Sequence, residues 1–224
     1  CSAMPARLEA AAIEYRRCLG ASTQIITIPN PPSLASGYNE GLEKATGDWL
    51  IFSHDDVDLL HADLGQRLAQ HLSHADIIGV AGATQATGPG WAWAGHPYLN
   101  GWISYPGIDA ESYEAGFYSF AGPRVDGIQL LDGVFLAMRA EVARRLRFDD
   151  RTFDGFHHYD LDVCRRAIEA GYRLAVATDL GLIHHSRGNF GDAWRHYAAR
   201  FVAKHPALAA PKPGDAHYYV ARVA

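Results

Sequence analysis

The sequence predicts an open α/β sheet flanked by helices. Segments with the 3.6-residue period of an amphipathic helix alternate with short apolar segments typical of buried strands, which is the β-α-β order of such sheets. The 224 residues, 48% of them hydrophobic, suffice for a packed core. We therefore expect a single α/β domain over residues 1–224.

Helices are placed by apolar residues three or four positions apart, and several end at glycines such as Gly20, Gly47 and Gly171. We expect them at residues 6–18, 34–45, 64–72, 140–146, from 159 or 160 up to the glycine at 171, and around 194–201. Strands are expected at residues 23–28, 49–52, 77–81, 128–138, 173–177 and 182–183. Residues 83–127 show no period and predict an irregular segment rich in aromatic residues and glycine.

Composition excludes several classes of protein. The formal net charge of -5, without a basic run, argues against a nucleic-acid partner. Three cysteines without paired spacing support neither a zinc knuckle nor a disulfide framework, and they fit a reducing compartment. No apolar run approaches the roughly 20 residues of a membrane-spanning helix. A cytoplasmic protein is expected.

Two adjacent acidic residues, Asp55 and Asp56, directly follow the predicted buried strand at 49–52. Ligands of open α/β sheets bind beyond the carboxyl ends of the strands. Adjacent carboxylates repel, and a divalent cation that also bridges to a phosphate relieves that repulsion. Alternatively, one aspartate caps a helix beginning near Leu60 and the other is solvated. The spacing alone leaves both interpretations open.

Two further polar groups follow predicted strands or open a helix. His184 and His185 end the last strand, where a histidine pair is either polar surface or, since neutral imidazole is a common ligand for Mn or Zn, part of a metal site. The predicted topology, which places the pair at the same sheet edge as Asp56, favours the metal site. Asp160 and Asp162 lie in the first turn of a helix, where a carboxylate complements the macrodipole. That interpretation suits Asp162, whereas Asp160 is also placed to act as a general base on a substrate hydroxyl.

The aromatic segment also has two interpretations. Rings of Trp91, Trp93 and Trp102 either stack on the apolar faces of sugars in an acceptor groove or anchor an otherwise irregular loop. We expect both roles to occur among these tryptophans.

The order of these motifs resembles family 2 glycosyltransferases of the GT-A fold, particularly a bacterial glycosyltransferase-like subgroup whose strand ends in His-Asp-Asp-Val. The resemblance covers about residues 1–190. It is carried by Asn39, Gly41, Leu42, residues 45–48, the His-Asp-Asp-Val of residues 54–57, Asp160 and the late histidines.

The resemblance implies a GT-A (Rossmann-like) mixed sheet flanked by helices. It also implies transfer, in inverting mode, of a sugar from a UDP-, GDP- or dTDP-sugar to a glycan, lipid-linked or other hydroxyl acceptor. Asp160 would be the catalytic base. The residues implied for the donor are Asp55, Asn39, Asp132 and Gly133, and those for Mn²⁺ or Mg²⁺ are Asp56 with His184 or His185.

The chain departs from the family pattern in three places. Ser53 stands where many members have an acidic residue, Tyr159 replaces the acidic residue that often precedes the base, and most of the family's first strand is not in this sequence. A noncatalytic carbohydrate- or nucleotide-binding module is therefore the alternative function, and a metal-dependent phosphoesterase is a second one. By analogy with relatives that build surface polysaccharides, we expect a cytoplasmic location or one peripheral to the inner membrane.

Overall fold

The computed structural model describes residues 1–107, 109, 112–119, 122–209, 213–214 and 219–223. The helices are α1 (Pro5–Leu19), α2 (Leu34–Lys44), α3 (Leu64–Leu72), α4 (Ala140–Leu146), α5 (Tyr159–Glu169) and α6 (Asp192–Lys204). The strands are β1 (Trp49–Ser53), β2 (Val57–Leu59), β3 (Ile77–Gly79), β4 (Ala81–Ala83), β5 (Leu99–Pro106), β6 (Tyr113–Ser119), β7 (Arg124–Ile128), β8 (Leu130–Leu131), β9 (Phe135–Arg139), β10 (Leu174–Ala177), β11 (Leu182–His184) and β12 (Tyr219–Val223).

These strands form two mixed sheets. One has the order β1-β9-β3-β10-β7, with β3 and β10 parallel. The other has the order β12-β6-β5-β11-β2, with β11 parallel to β5, and β4 joins it beside β5 and β8. The chain crosses from the first sheet to the second between β1 and β2, and again at Val80, between β3 and β4. The predicted class, a mixed sheet flanked by helices, is confirmed.

Two apolar cores cover opposite faces of the first sheet. Helices α2, α4, α5 and α6 contribute to one core, around Phe153 and Phe201. Helices α1 and α3 contribute to the other, around Leu72 and Phe135. The six helices occur where the period predicts them because each turns one apolar stripe toward a core. Among the described residues, no helix is long and apolar enough to cross a lipid bilayer.

The predicted strands are less accurate. Residues 23–28 belong to no strand of the described chain, and they line a groove of about 520 Å³ together with β1. The strand β1 is an edge strand that pairs antiparallel with β9 and is half-buried, not a strand covered on both faces of a parallel sheet. The predicted strand at 77–81 is split at Val80, and that at 128–138 comprises the end of β7, β8 and β9.

The prediction of an irregular segment at 83–127 is also wrong where the structure describes it. Residues 108, 110–111 and 120–121 lie outside the described part, but the remainder includes β5, β6 and β7. Glycine interrupts the alternation of polar and apolar residues, and Gly101, at φ +92°, accompanies a register shift between β5 and β6. The period of two is therefore obscured in the sequence.

Candidate active site

The ends of the two sheets meet at the acidic pair. Strand β1 of the first sheet ends at Ser53, and the chain turns through His54, Asp55 and Asp56 into β2 of the second sheet. Strand β11 runs antiparallel to β2 and sets His184 opposite Val57. This register places the late histidine beside the acidic pair.

Three potential metal ligands converge there. His54 Nδ1 lies 3.2 Å from His184 Nε2, which lies 3.3 Å from Asp56 Oδ1. One ligand atom from each residue lies within 4.8 Å of the others. Ser186 Oγ is 3.1 Å from His184 Nε2, and the Arg7 guanidinium is 3.7 Å from the other Asp56 oxygen. The group therefore offers two imidazole nitrogens and one carboxylate oxygen to a cation.

The electrostatics of the group suit metal ligands. Burial, followed by the neighbouring His184, lowers the pKa of His54 and favours the neutral imidazole. Burial opposes ionisation of Asp56, but hydrogen bonds with His184 and Ser186 hold its pKa well below the usual range. Metal ions bind neutral histidine and ionised carboxylate, so both residues favour the binding form.

The second histidine of the pair lies apart from this group. His185 Nε2 is 2.7 Å from Asp58 Oδ2, and both side chains are exposed. Successive residues of a strand point to opposite faces, so His184 and His185 diverge. The structure brings together Asp56 and His184, and adds His54, which the sequence analysis did not select. Its position immediately before the acidic pair was the available signal.

The acidic pair does not cap a helix. Helix α3 begins at Leu64 with Asp63 as its N-cap, beyond the short strand β2. Asp55 is half-buried and lines one end of the groove beside β1. The helix-cap interpretation of Asp55 and Asp56 is therefore wrong.

Asp160 is the second residue of α5 and lies beside the loop that follows β8. His158 precedes the helix in the left-handed conformation, at φ 66°. The backbone N–H of Gly133 donates a 2.9 Å hydrogen bond to Asp160 Oδ2. Burial and the nearby charge of Asp132 raise the pKa of Asp160 to about 7, against opposing backbone hydrogen bonds such as that from Gly133. A carboxylate with this pKa is suited to accept a proton near neutral pH.

Half-buried Asp132 and buried Gly133 lie beside this carboxylate. Trp91 Nε1 donates to one oxygen of Asp132 at 2.8 Å, and the Val134 N–H donates to the other at 2.8 Å. A Cβ at Gly133 would lie 2.6 Å from the Tyr159 hydroxyl and 2.8 Å from Asp160 Oδ2. Only glycine allows this approach.

Tyr159 connects the two halves of the site. Its hydroxyl lies 3.1 Å from His54 Nε2 and donates to the Gly133 carbonyl at 3.2 Å. The N–H of the same glycine donates a hydrogen bond to Asp160, so the backbone of Gly133 links the metal-ligand group to the candidate base.

The remaining predicted residues have different surroundings. Asn39 uses its amide on the Phe148 backbone and on Asp150, which is a structural role. Trp102 donates to the Thr178 carbonyl and stacks on Phe117 within the second sheet, which is also structural. Trp93 stacks on Trp194 of α6, with ring centroids 5.9 Å apart. Of the three tryptophans, Trp91 contacts the site directly, through Asp132.

The family assignment follows from the sequence match. The chain belongs to the glycosyltransferase-like family, whose model matches residues 12–205. Its two mixed sheets flanked by helices are the GT-A type of fold that the resemblance implied.

Comparison with individual proteins adds little to this assignment. No curated protein matches the sequence. Among solved structures, A197 from STIV is similar at 11% identity over 78% of each chain, with a TM-score of 0.44. The UTP-bound UGPase from Acinetobacter baumannii is similar at 13% identity over 88% of this chain and 66% of that one, with a TM-score of 0.33. At these values neither neighbour bears on the activity of this chain.

Proposed function

We propose that the protein is an inverting, metal-dependent glycosyltransferase that moves a sugar from a nucleoside-diphosphate donor to a hydroxyl acceptor. The observation that carries the proposal is the pairing of a His-Asp-His ligand group with Asp160, a carboxylate whose pKa of about 7 suits a base. The family of the chain supports a transferase.

In this mechanism Asp160 takes the proton of the acceptor hydroxyl. As that proton leaves, the acceptor oxygen forms a bond to the anomeric carbon, and the bond from that carbon to the diphosphate oxygen breaks. The electron pair of the broken bond leaves with the nucleoside diphosphate. The Gly133 N–H fixes one oxygen of Asp160.

The ligand group fits a divalent cation. Two imidazole nitrogens and one carboxylate oxygen leave coordination positions for phosphate oxygens, and imidazole favours Mn²⁺ over the harder Mg²⁺. A cation held by His54, Asp56 and His184 would supply Lewis-acid stabilisation of the leaving diphosphate. Asp55, beside this group, is proposed to contact the ribose or phosphates of the donor.

The donor sugar and the acceptor are proposed to meet over Asp132 and Gly133. The space that a side chain at Gly133 would fill is taken by Tyr159 and Asp160, which keeps the carboxylate against this loop, beside half-buried Asp132. The indole of Trp91, half-buried and bonded to Asp132, is proposed to offer a ring face or edge to an acceptor sugar. Trp93, two residues further along the chain and also half-buried, is proposed to extend that acceptor contact.

A thermal-shift panel tests the proposal. UDP, GDP and dTDP, and then their sugar conjugates, are added with and without Mn²⁺, because a ligand of the native state raises apparent stability. We expect one nucleotide to stabilise the protein only with Mn²⁺, and its sugar conjugate to release nucleoside diphosphate in the presence of a glycan acceptor. Asp160→Asn serves as the control that binds without turnover.

Other outcomes would overturn the proposal. Sugar or nucleotide binding that ignores Mn²⁺, without turnover, would identify a noncatalytic module. Hydrolysis of simple phosphoesters by the wild-type protein would instead identify a phosphoesterase.

A further inference from the structure

We infer that Tyr159 is a positioning residue that fixes the proton of His54 on Nε2 and thereby directs the Nδ1 lone pair toward the metal-ligand group. This inference rests on the proposed metal site. It assigns a role to the tyrosine that stands where the family pattern often has an acidic residue.

The direction of the tyrosine hydrogen bond carries the first step. The Tyr159 oxygen lies 3.2 Å from the Gly133 carbonyl and 3.1 Å from His54 Nε2, and it also neighbours the Tyr38 hydroxyl, which can either donate or accept. A carbonyl oxygen only accepts, and a buried carbonyl requires a donor. Gly133 is buried, so the single hydroxyl proton is used on its carbonyl.

The tautomer of the histidine follows from that direction. With its proton committed, the Tyr159 oxygen can only accept from His54, so His54 Nε2 carries the N–H. A neutral imidazole has one such proton, and Nδ1 therefore presents a lone pair. That nitrogen is the one that lies 3.2 Å from His184 Nε2, among the three convergent ligand atoms.

The surroundings of Tyr159 make this arrangement rigid. The side chain is buried, and its ring packs against Tyr38 and Phe148 at centroid distances of 5.5 and 6.1 Å. Metal-binding histidines commonly donate their second N–H to such a partner, and loss of that partner typically weakens metal binding about 10–100-fold. In other metal sites a carboxylate or a backbone carbonyl accepts this N–H. Here the phenol oxygen of Tyr159 accepts it and adds no negative charge.

The tautomer can be measured without metal or substrate. In ¹⁵N-histidine-labelled protein, long-range ¹H–¹⁵N correlation spectra show which ring nitrogen is protonated, and the His54 signals are assigned by their loss in His54→Asn. We expect the Nε2–H tautomer in the wild type and a loss of this preference in Tyr159→Phe. An Nδ1–H tautomer in the wild type would overturn the inference.

Mn²⁺ titration followed by electron paramagnetic resonance provides the second readout. We expect Tyr159→Phe to bind Mn²⁺ about 10-fold more weakly than the wild type. The matched control is Tyr172→Phe, which removes a partly buried phenol that packs on the core beyond the other end of α5 and should leave the affinity unchanged. Equal affinity of Tyr159→Phe and wild type would refute the role. If the wild type bound no Mn²⁺, the proposed metal site would fail, while the tautomer would still decide the role of Tyr159.

Discussion

The backbone N–H of Gly133 lies 2.9 Å from Asp160 Oδ2 and donates a hydrogen bond to it. This bond joins the loop between β8 and β9 to the first turn of α5, which are separated by more than one element in sequence. The candidate base is thus held by a glycine whose missing side chain lets Tyr159 and Asp160 pack against the backbone.

Replacing Asp160 with Asn tests the base. The amide keeps an oxygen for the Gly133 N–H but cannot take a proton, so we expect kcat to fall about 10²–10⁴-fold. Mn²⁺ and nucleotide affinities should remain unchanged, as measured by titration. Asp126→Asn, an exposed aspartate that pairs with Arg124 on β7, is the matched control and should keep full activity. Normal turnover in Asp160→Asn would rule out this base.

The pH profile tests the raised pKa of Asp160. Only the ionised carboxylate accepts a proton, so kcat/KM should rise with pH through about 7 and then level off. Because the negative charge of Asp132 contributes to the shift, Asp132→Asn should move this limb to lower pH. Asp58→Asn changes an exposed aspartate and should leave the limb in place. A limb near pH 4, the ordinary value for a carboxyl, would contradict the assignment.

Adjacent histidines provide a matched test of the metal site. We expect His184→Asn to weaken Mn²⁺ binding at least about 10-fold, since it removes one of three ligands, and His185→Asn to leave it unchanged. Isothermal titration calorimetry measures both. The reverse result would transfer the ligand role to His185. Equal effects of the two substitutions on Mn²⁺ affinity would contradict the assignment of His184 alone as the ligand.

Replacing Asp162 tests what holds α5 in place, and its expected effect is on stability rather than on catalysis. Its fully buried carboxylate is within 2.7 Å of Arg166 Nε, 2.7 Å of Lys204 Nζ and 2.9 Å of His205 Nε2, which joins α5 to α6. We expect Asp162→Ala to lower the free energy of unfolding by about 3 kcal/mol, because it removes the buried carboxylate that these three side chains share, although Lys204 keeps its ion pair with Asp149. Urea unfolding measures the loss. Asp192→Ala, at a fully exposed position, should change stability by less than about 0.5 kcal/mol.

The same variant has a predicted pH dependence. Burial opposes ionisation of Asp162, but hydrogen bonds with His205, Lys204 and Arg166 keep its pKa below the ordinary value. A group with a lowered folded-state pKa contributes stability above its unfolded pKa, and that contribution is lost as the pH falls through the folded value. The difference between wild type and Asp162→Ala should therefore shrink on acidification. A difference that grows in acid would show that Asp162 acts otherwise.

The sequence predicts the helices and part of the site well, for physical reasons. A helix on a sheet needs one continuous apolar stripe, and that stripe is visible in all six helices. The acidic pair and the late histidines both follow apolar strands, so the convergence of strand ends could be expected of Asp56 and His184. The structure shows this convergence directly.

The parts that the sequence analysis missed depend on long-range pairing. The choice between His184 and His185 rests on the register of β11 against β2, which neither segment encodes alone. His54 becomes a candidate ligand only when β11 brings His184 to it. The second sheet was missed because its longest strands, β5 and β6, are rich in glycine and aromatic residues and interrupted by a register shift.

The crossing of the chain between the two sheets has a mechanical consequence. His54 follows the edge strand of the first sheet, and His184 ends a strand of the second. A cation bound by both histidines would cross-link the two sheets, so its binding free energy would oppose their separation. Removal of the cation by a chelator would then increase the mobility of residues 54–56, between β1 and β2, while both cores stayed folded. Limited proteolysis would detect this mobility as new cleavage between the two strands.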